Sequence, residues 1–484
     1  GWRLRIDALP ELTDIGSRRG SAPHKRSLPP SFGSGADLRM SAGTGHYGAD
    51  DFIAILRHAH ARHIEVIPEF NMPGHARAAV LAMRARHDRL RAQGDVEGAE
   101  RYLLSDPCDA SVYESVQLWR DNVICIALPA VDRFIDTVVA HVAALYREAG
   151  VPLRIIHTGG DEVPPGAWEG SPRCQALMRA RGWTHMGQLH ADFLDRCRAI
   201  LARHGLAFAG WEETALVVEE GGPRFQVYAW NNAWGSGKED VAYRLANAGH
   251  DVVLANAANL YFDLAYAKDP REPGYYWAGF VETRHAFGFC PLDMIAGAAS
   301  DPMGQVVPAE RLAAMTRLTP QGRRRIAGLQ GQLWGENART RDRIEYLAAP
   351  RLVALAERAW APDPGWCAIG DAAARAAAMA DDWNEFANRL GQRELARLDR
   401  APLAYGYRLP PPGAIACGRT VHANVALPGL ALHYTLDGSE PDAASPRYTA
   451  PVDAPPDAAV FKVATFDTRG RKSATVVIAL EAHG

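Results

Sequence analysis

From about residue 47 to residue 361 the chain alternates amphipathic helical stretches with short apolar runs, and this alternation constrains its fold most. Phe52, Ile55, Leu56 and Ala59 fall at helical spacing, with Asp50 and Asp51 in the first turn, where acidic groups suit the helix dipole. A strand, Ile64–Glu69, is expected to follow. The next helix carries Val131, Phe134, Ile135, Val138 and Val142 on one face and should stop at Gly150, ahead of a strand at 153–157. Another carries Leu189, Phe193, Leu194, Cys197 and Leu201 and should end at Gly205. Further strands are expected near 207–211, 225–230, 252–257 and 326–334, and a helix through 343–359. Strict alternation implies parallel strands with helices outside, either as a doubly wound sheet or as a barrel.

What lies at the strand ends separates the two. Nearly every strand finishes in a polar or aromatic cluster: Pro73-Gly74-His75, Asp161-Glu162, Trp211-Glu212-Glu213, Trp230-Asn231-Asn232, Tyr261-Phe262-Asp263 and Trp334-Gly335-Glu336. A barrel gathers all its strand ends around one mouth, whereas an open sheet favours its switch point. The expected fold class is therefore α/β, a (β/α)8 TIM-type barrel of which six strands are present and the first two are missing. After Pro402 and the Pro410-Pro411-Pro412 stretch, helical spacing vanishes, Val476, Ile478 and Leu480 alternate, and Asp437-Gly438 marks a turn. The division expected is 1–402 for the barrel domain and 403–484 for a small all-β, Ig-like sandwich.

Composition excludes several partners. Lys and Arg total 53 against 56 Asp and Glu, so there is no basic field for nucleic acid or anionic lipid. The run Arg323–Arg325 precedes an apolar stretch and reads as a solvated helix-to-strand turn. No run of about 18 apolar residues is present, so no membrane span is expected. The seven cysteines lack a C-x-x-C pair, which argues against structural zinc, although a disulfide could form among them. His58, His60 and His63 have no H-E-x-x-H context and read as helix-surface residues. No metal or cofactor is expected, and nothing in the sequence fixes an oligomeric state.

His157-Thr158-Gly159-Gly160-Asp161-Glu162 carries the strongest chemical signal. Adjacent carboxylates at the end of an apolar strand raise one another's pKa and are costly without a task. In a regular strand neighbouring side chains point to opposite faces, but two glycines let the backbone leave that geometry and turn both acids one way. Around them, Trp211, Trp230, Trp277, Tyr261 and Trp334 stand where a core would rather place Val or Ile. Sugars present apolar C–H faces and hydroxyl rims, which aromatic walls and acceptors such as Asp263 and Glu336 would suit.

The residues resemble glycoside hydrolase family 20, and within it the bacterial chitobiases. The similar motifs are Gly1-Trp2-Arg3-Leu4 with Leu9–Thr13, Ile64–His75, His157–Val163 and Gly166–Pro172, then Trp334-Gly335-Glu336, Ala356–Trp360 and Tyr434–Pro441. The resemblance implies hydrolysis of terminal N-acetyl-β-D-hexosamine residues from chitobiose and short chitooligosaccharides, with the substrate's own acetamido oxygen as nucleophile. It assigns Glu162 as the acid, aided by a pKa that Asp161 would raise, and Asp161 as the group orienting the acetamido N–H. Tyr261 becomes a donor to the acetamido oxygen and His75 a support for the acid. Trp211, Trp230 and Trp334 become walls, Asp263 and Glu336 hydroxyl acceptors, and Trp277 a platform for the second sugar. It implies periplasmic or secreted placement and a GlcNAc-terminated oligosaccharide as partner. Family members also carry two barrel strands ahead of the Gly-Trp-Arg motif, with an arginine for sugar hydroxyls and an aspartate that partners the histidine. On that expectation the chain is an N-terminally truncated member, His75 loses its partner and activity is poor. Two other readings stay open: a transglycosylase or a hexosaminidase for other glycans, and a carbohydrate-binding protein without turnover.

Overall fold

The computed structural model describes every residue except 22–26, 218–221, 297, 299–304, 401, 403 and 482–484. Two compact units divide the chain, one of residues 1–256 with 316–328, the other of residues 257–315 with 329–484.

The first unit is built on a sheet in strict chain order, β1 (Ile155–His157), β2 (Ala207–Trp211), β3 (Gln226–Ala229), β4 (Asp251–Leu254) and β5 (Ile326–Leu329). The pairs β1–β2, β2–β3 and β3–β4 are parallel, as alternation with helices requires. The run 64–69, expected as a full strand, is reduced to one parallel bridge, Glu69 to His157. His157 N donates to Pro68 O and Phe70 N to His157 O, both at 3.0 Å. Pro68 has no N–H to extend the ladder. The helices Pro129–Ala149 and Met186–Arg203 bury the stripes expected of them, from Val131 to Val142 and from Leu189 to Leu201. Each such side chain contributes about 1.5–3 kcal/mol by leaving water. Gly150 caps the first of these helices at φ 71°, the left-handed conformation that glycine adopts without strain. Helix Ala49–His60 is turned relative to expectation. It buries Ile53, Leu56 and Ala59 and leaves Ile55 40% exposed, because Phe52 meets Tyr146 edge-on at 5.9 Å.

In the second unit the helix expected through 343–359 is two helices, Arg341–Ala348 and Arg351–Trp360. Pro350 separates them, since proline supplies no N–H and its ring clashes with the preceding turn. The C-terminal part holds two three-stranded antiparallel sheets. One has the order β11 (Val476–Ala479), β10 (Val460–Phe466), β8 (Ala431–Thr435), and the other β6 (Gly413–Cys417), β7 (Thr420–Asn424), β9 (Val452–Asp453). Val421, Leu432, Phe461, Val463 and Leu480 close the core between them. The 467–471 turn is tied to the chain before the sheets: Arg471 donates to Tyr407 O (3.1 Å) and Arg469 to Tyr405 O (2.6 Å). A disulfide joins Cys290 to Cys367. Among the described residues, no helix is long and apolar enough to cross a membrane.

Arg351 organises this unit. Fully buried, it donates to the carbonyls of Leu264 (2.8 Å), Val281 (2.9 Å), Leu347 (3.0 Å) and Phe262, and lies 3.8 Å over the ring of Tyr266. It thereby fixes the segment that carries Tyr261 and Asp263. Replacing Arg351 with Met should strand these carbonyls and lower stability by about 3–5 kcal/mol, read as a shifted denaturant midpoint of the transition that includes this unit. An unmoved midpoint would show that the guanidinium is dispensable.

Candidate active site

The two glycines after β1 do what their position implied. Gly159 and Gly160 take φ of 72° and 97°, in the region open to glycine. A Cβ on Gly159 would stand 2.1 Å from Asn71 Oδ1, and one on Gly160 2.1 Å from Thr214 Cγ2. The turn therefore lets neighbouring segments close on the backbone. Asn71 uses the approach twice: its Oδ1 accepts from Gly160 N (3.2 Å) and its Nδ2 donates to Asp161 Oδ1 (2.6 Å).

Past the turn both acids reach one imidazole. His75 Nε2 lies 3.2 Å from Asp161 Oδ2 and 3.2 Å from Glu162 Oε2. His75 and Glu162 both hold positive φ, 50° and 51°, strain that persists where surrounding contacts impose it. Burial lowers the affinity of His75 for its proton, but hydrogen bonds and charge from Asp161 and Glu162 outweigh it and raise its pKa to about 10. His75 therefore has two carboxyl partners, Asp161 and Glu162. An imidazolium stands between the two acids, which the sequence reading had placed against one another. Gln117 Nε2 is 3.5 Å from Glu162 Oε2 on the exposed side. Among the described residues, these three are the one group of His, Cys, Asp or Glu whose donor atoms lie within 4.8 Å of one another. His58, His60 and His63 are exposed and separate from it.

The tryptophans at the ends of β2 and β3 are buried and pinned by carboxyl groups. Trp211 Nε1 donates to Glu69 Oε1 at 3.0 Å, and its ring meets His157 edge-on at 4.8 Å. Trp230 Nε1 donates to Glu213 Oε2 at 3.1 Å. Its backbone N–H and that of Asn231 both reach Glu212 Oε2, at 2.9 and 3.2 Å. Burial raises Glu212 to about 6 against these two bonds, and raises Glu213 to about 8 with help from Glu212. Sequence reasoning saw Glu212 and Glu213 only as part of a polar cluster and missed Glu69; an acid inside an apolar run was the available signal.

The second unit carries the other five expected residues. Tyr261 bridges to Gln332, and its ring meets Trp277 at 5.8 Å and Trp334 at 6.4 Å, both edge-on. Asp263 is buried, its Oδ1 has no hydrogen-bond partner among the described residues, and burial raises it to about 7, with the charge of Glu336 adding to the rise. Glu336 and Trp277 are exposed, the latter by 51%. Thus His75, Asp161, Glu162, Trp211 and Trp230 are assembled in one unit, and Tyr261, Asp263, Trp277, Trp334 and Glu336 in the other.

Strand-end acids and aromatic side chains on parallel strands mark an α/β protein, and comparison with known proteins places it further. The profile of the glycosyl hydrolase family 20 catalytic domain matches residues 1–363, and that of the chitobiase/beta-hexosaminidase C-terminal domain matches residues 394–475. The chain belongs to glycosyl hydrolase family 20, whose catalytic domain is a TIM-type barrel, here followed by an all-β C-terminal domain. It is 35% identical to a beta-hexosaminidase of Vibrio vulnificus over 90% of this chain and 53% of that protein. It is also 35% identical to the N,N'-diacetylchitobiase of Vibrio harveyi, over 93% of this chain and 56% of that protein. The solved structure of the GH20 exo beta-N-acetylglucosaminidase from Vibrio harveyi in complex with N-acetylglucosamine aligns with TM-score 0.61 and 30% identity, covering 84% of this chain and 52% of that one. The chain spans about half the length of these relatives.

The histidine clamp makes a pH prediction. A folded pKa near 10, above the unfolded value of about 6.5, gives stability that is complete below pH 6.5 and is lost as pH rises through 10. Thermal unfolding of the wild type should therefore weaken over that window more than that of His75→Gln. Parallel curves would show that His75 holds no extra proton.

Proposed function

We propose that the site around Asp161 and Glu162 hydrolyses terminal non-reducing N-acetyl-β-D-hexosamine residues, as in chitobiose and short chitooligosaccharides, with retention and through an oxazolinium intermediate. The observation that carries this reading is the Gly159-Gly160 turn, which brings both acids to His75. Protein nucleophiles in retaining glycosidases stand opposite the acid across the scissile bond, whereas adjacent acids suit a mechanism in which the substrate supplies the nucleophile.

In the first step Glu162 gives its proton to the glycosidic oxygen. The acetamido oxygen attacks C1 as the C1–oxygen bond breaks, and the aglycone leaves as an alcohol. Asp161, fixed by Asn71, accepts the acetamido N–H and stabilises the positive charge that develops on the ring. In the second step the Glu162 carboxylate takes a proton from water, whose oxygen bonds to C1 as the bond from C1 to the acetamido oxygen breaks and the oxazolinium ring opens. His75, within 3.2 Å of both acids, holds Asp161 and Glu162 in place through the two steps. Tyr261 donates to the acetamido oxygen. Trp211 and Trp230 serve as walls for the sugar, as does Trp334; Asp263, whose buried Oδ1 has no hydrogen-bond partner among the described residues, serves as a hydroxyl acceptor, as does Glu336. Trp277 stacks on the second sugar.

In this reading residues 1–402 form the catalytic domain and 403–484 an accessory sandwich. The Cys290–Cys367 disulfide fits a periplasmic or secreted protein. Release of p-nitrophenol from p-nitrophenyl N-acetyl-β-glucosaminide, followed at micromolar enzyme so that slow turnover is visible, tests the proposal. Hydrolysis should occur, and Glu162→Gln should reduce it by about 10²–10⁴-fold with an unchanged circular dichroism spectrum. A folded chain with no turnover, or an unaffected variant, contradicts it.

A further inference from the structure

One acidic side chain in the first unit is left without a task by this chemistry. Glu213 has a side chain only 18% exposed and stands where burial is costly for a charge. Its surroundings are Glu212 on its own element, Trp230 at the end of β3, Lys238 Nζ at 4.0 Å, and Asp161 near enough to act on it by charge. Two adjacent carboxyl groups thus hold one residue from two sides. Glu212 takes the backbone N–H of Trp230, and Glu213 takes its indole N–H. A tryptophan side chain has only two torsions, so fixing its backbone and its Nε1 leaves the ring plane little freedom.

We propose that Glu213 is a positioning residue that sets the plane of the Trp230 ring and thereby the size of the acyl group the site accepts at C2 of the sugar. This rests on the reading of Trp230 as a wall around the acetamido group. Burial and the neighbouring acids keep Glu213 protonated at neutral pH, with a pKa near 8. A neutral acid accepts the indole N–H without adding a second negative charge beside Asp161. The same reasoning makes glutamine its close mimic, and makes leucine or the shorter aspartate a loss of the contact. Glu69 does for Trp211 what Glu213 does for Trp230, so each wall of β2 and β3 has its own acceptor.

Two measurements test this. In the 15N-labelled chain, the Trp230 indole N–H, assigned by its loss in Trp230→Phe, should be protected from hydrogen exchange in wild type and Glu213→Gln. It should exchange at least about tenfold faster in Glu213→Leu and Glu213→Asp, the loss expected for about 1.4 kcal/mol of hydrogen bond. Equal exchange in all four overturns the contact. The second compares kcat/KM for p-nitrophenyl glycosides bearing 2-acetamido and 2-propanamido groups. One methylene against a fixed wall is worth roughly 10–200-fold. That preference for acetyl should survive in Glu213→Gln and shrink about tenfold or more in Glu213→Leu or Glu213→Asp. An undiminished preference in a variant whose indole has lost protection overturns the specificity role while leaving the proposed function standing. If the wild type cleaves neither glycoside, the proposed function falls and the specificity role falls with it, whereas the exchange data still decide whether Glu213 holds Trp230.

Discussion

Two carboxyl groups on consecutive residues are costly to hold together when both are ionised. The chain resolves this with one imidazolium, His75, within 3.2 Å of both. Everything nearby follows from that arrangement. The acids can face His75 only because Gly159 and Gly160 turn the backbone, and with no Cβ there Asn71 and Thr214 close into the space a side chain would need. Asn71 then holds the far oxygen of Asp161, so the carboxylate is fixed on both sides. The strain of positive φ at His75 and Glu162 is the local cost of this geometry.

The same economy of charge recurs one strand further on. Glu212 and Glu213 are also adjacent acids, but no cation separates them as closely. Burial raises both, Glu213 further than Glu212. The less perturbed acid collects two backbone N–H groups, and the more perturbed one meets an indole. In the second unit a buried charge is handled in a third way. Arg351 spreads its guanidinium over carbonyls and the face of Tyr266, and so supports the segment from Tyr261 to Asp263. Each device converts an unfavourable buried charge into a fixed side-chain position.

Much of this was legible in the sequence. The helical stripes of 131–142 and 189–201, the parallel order of the strands and the turn at Gly159-Gly160 all followed from spacing and from the conformational freedom of glycine. What stayed hidden depended on contacts between residues far apart in the chain. Nothing in the run Arg351–Trp360 marks Arg351 as a buried anchor, because an arginine at a helix start is ordinarily solvated. Glu69 lies 142 residues from the tryptophan it holds. The resemblance named His75 as a support for the acid Glu162, but its equal closeness to Asp161 was not legible, since that distance is set by how the 71–75 segment packs on the turn. The face of helix 49–60 was misread by a residue because Phe52 seats on Tyr146, a choice only tertiary packing makes.

The origin of the nucleophile decides the chemistry at Asp161 and Glu162. Rates for p-nitrophenyl N-acetyl-β-glucosaminide and for p-nitrophenyl β-glucoside, which has a hydroxyl in place of the acetamido group, compare the two possibilities on one enzyme. A nucleophile held against C1 within the substrate gains up to ~7–11 kcal/mol from proximity, so the glucoside should be slower by at least roughly 10³-fold. Comparable rates would mean that a protein group attacks C1, and that the clamp around Asp161 serves some other purpose.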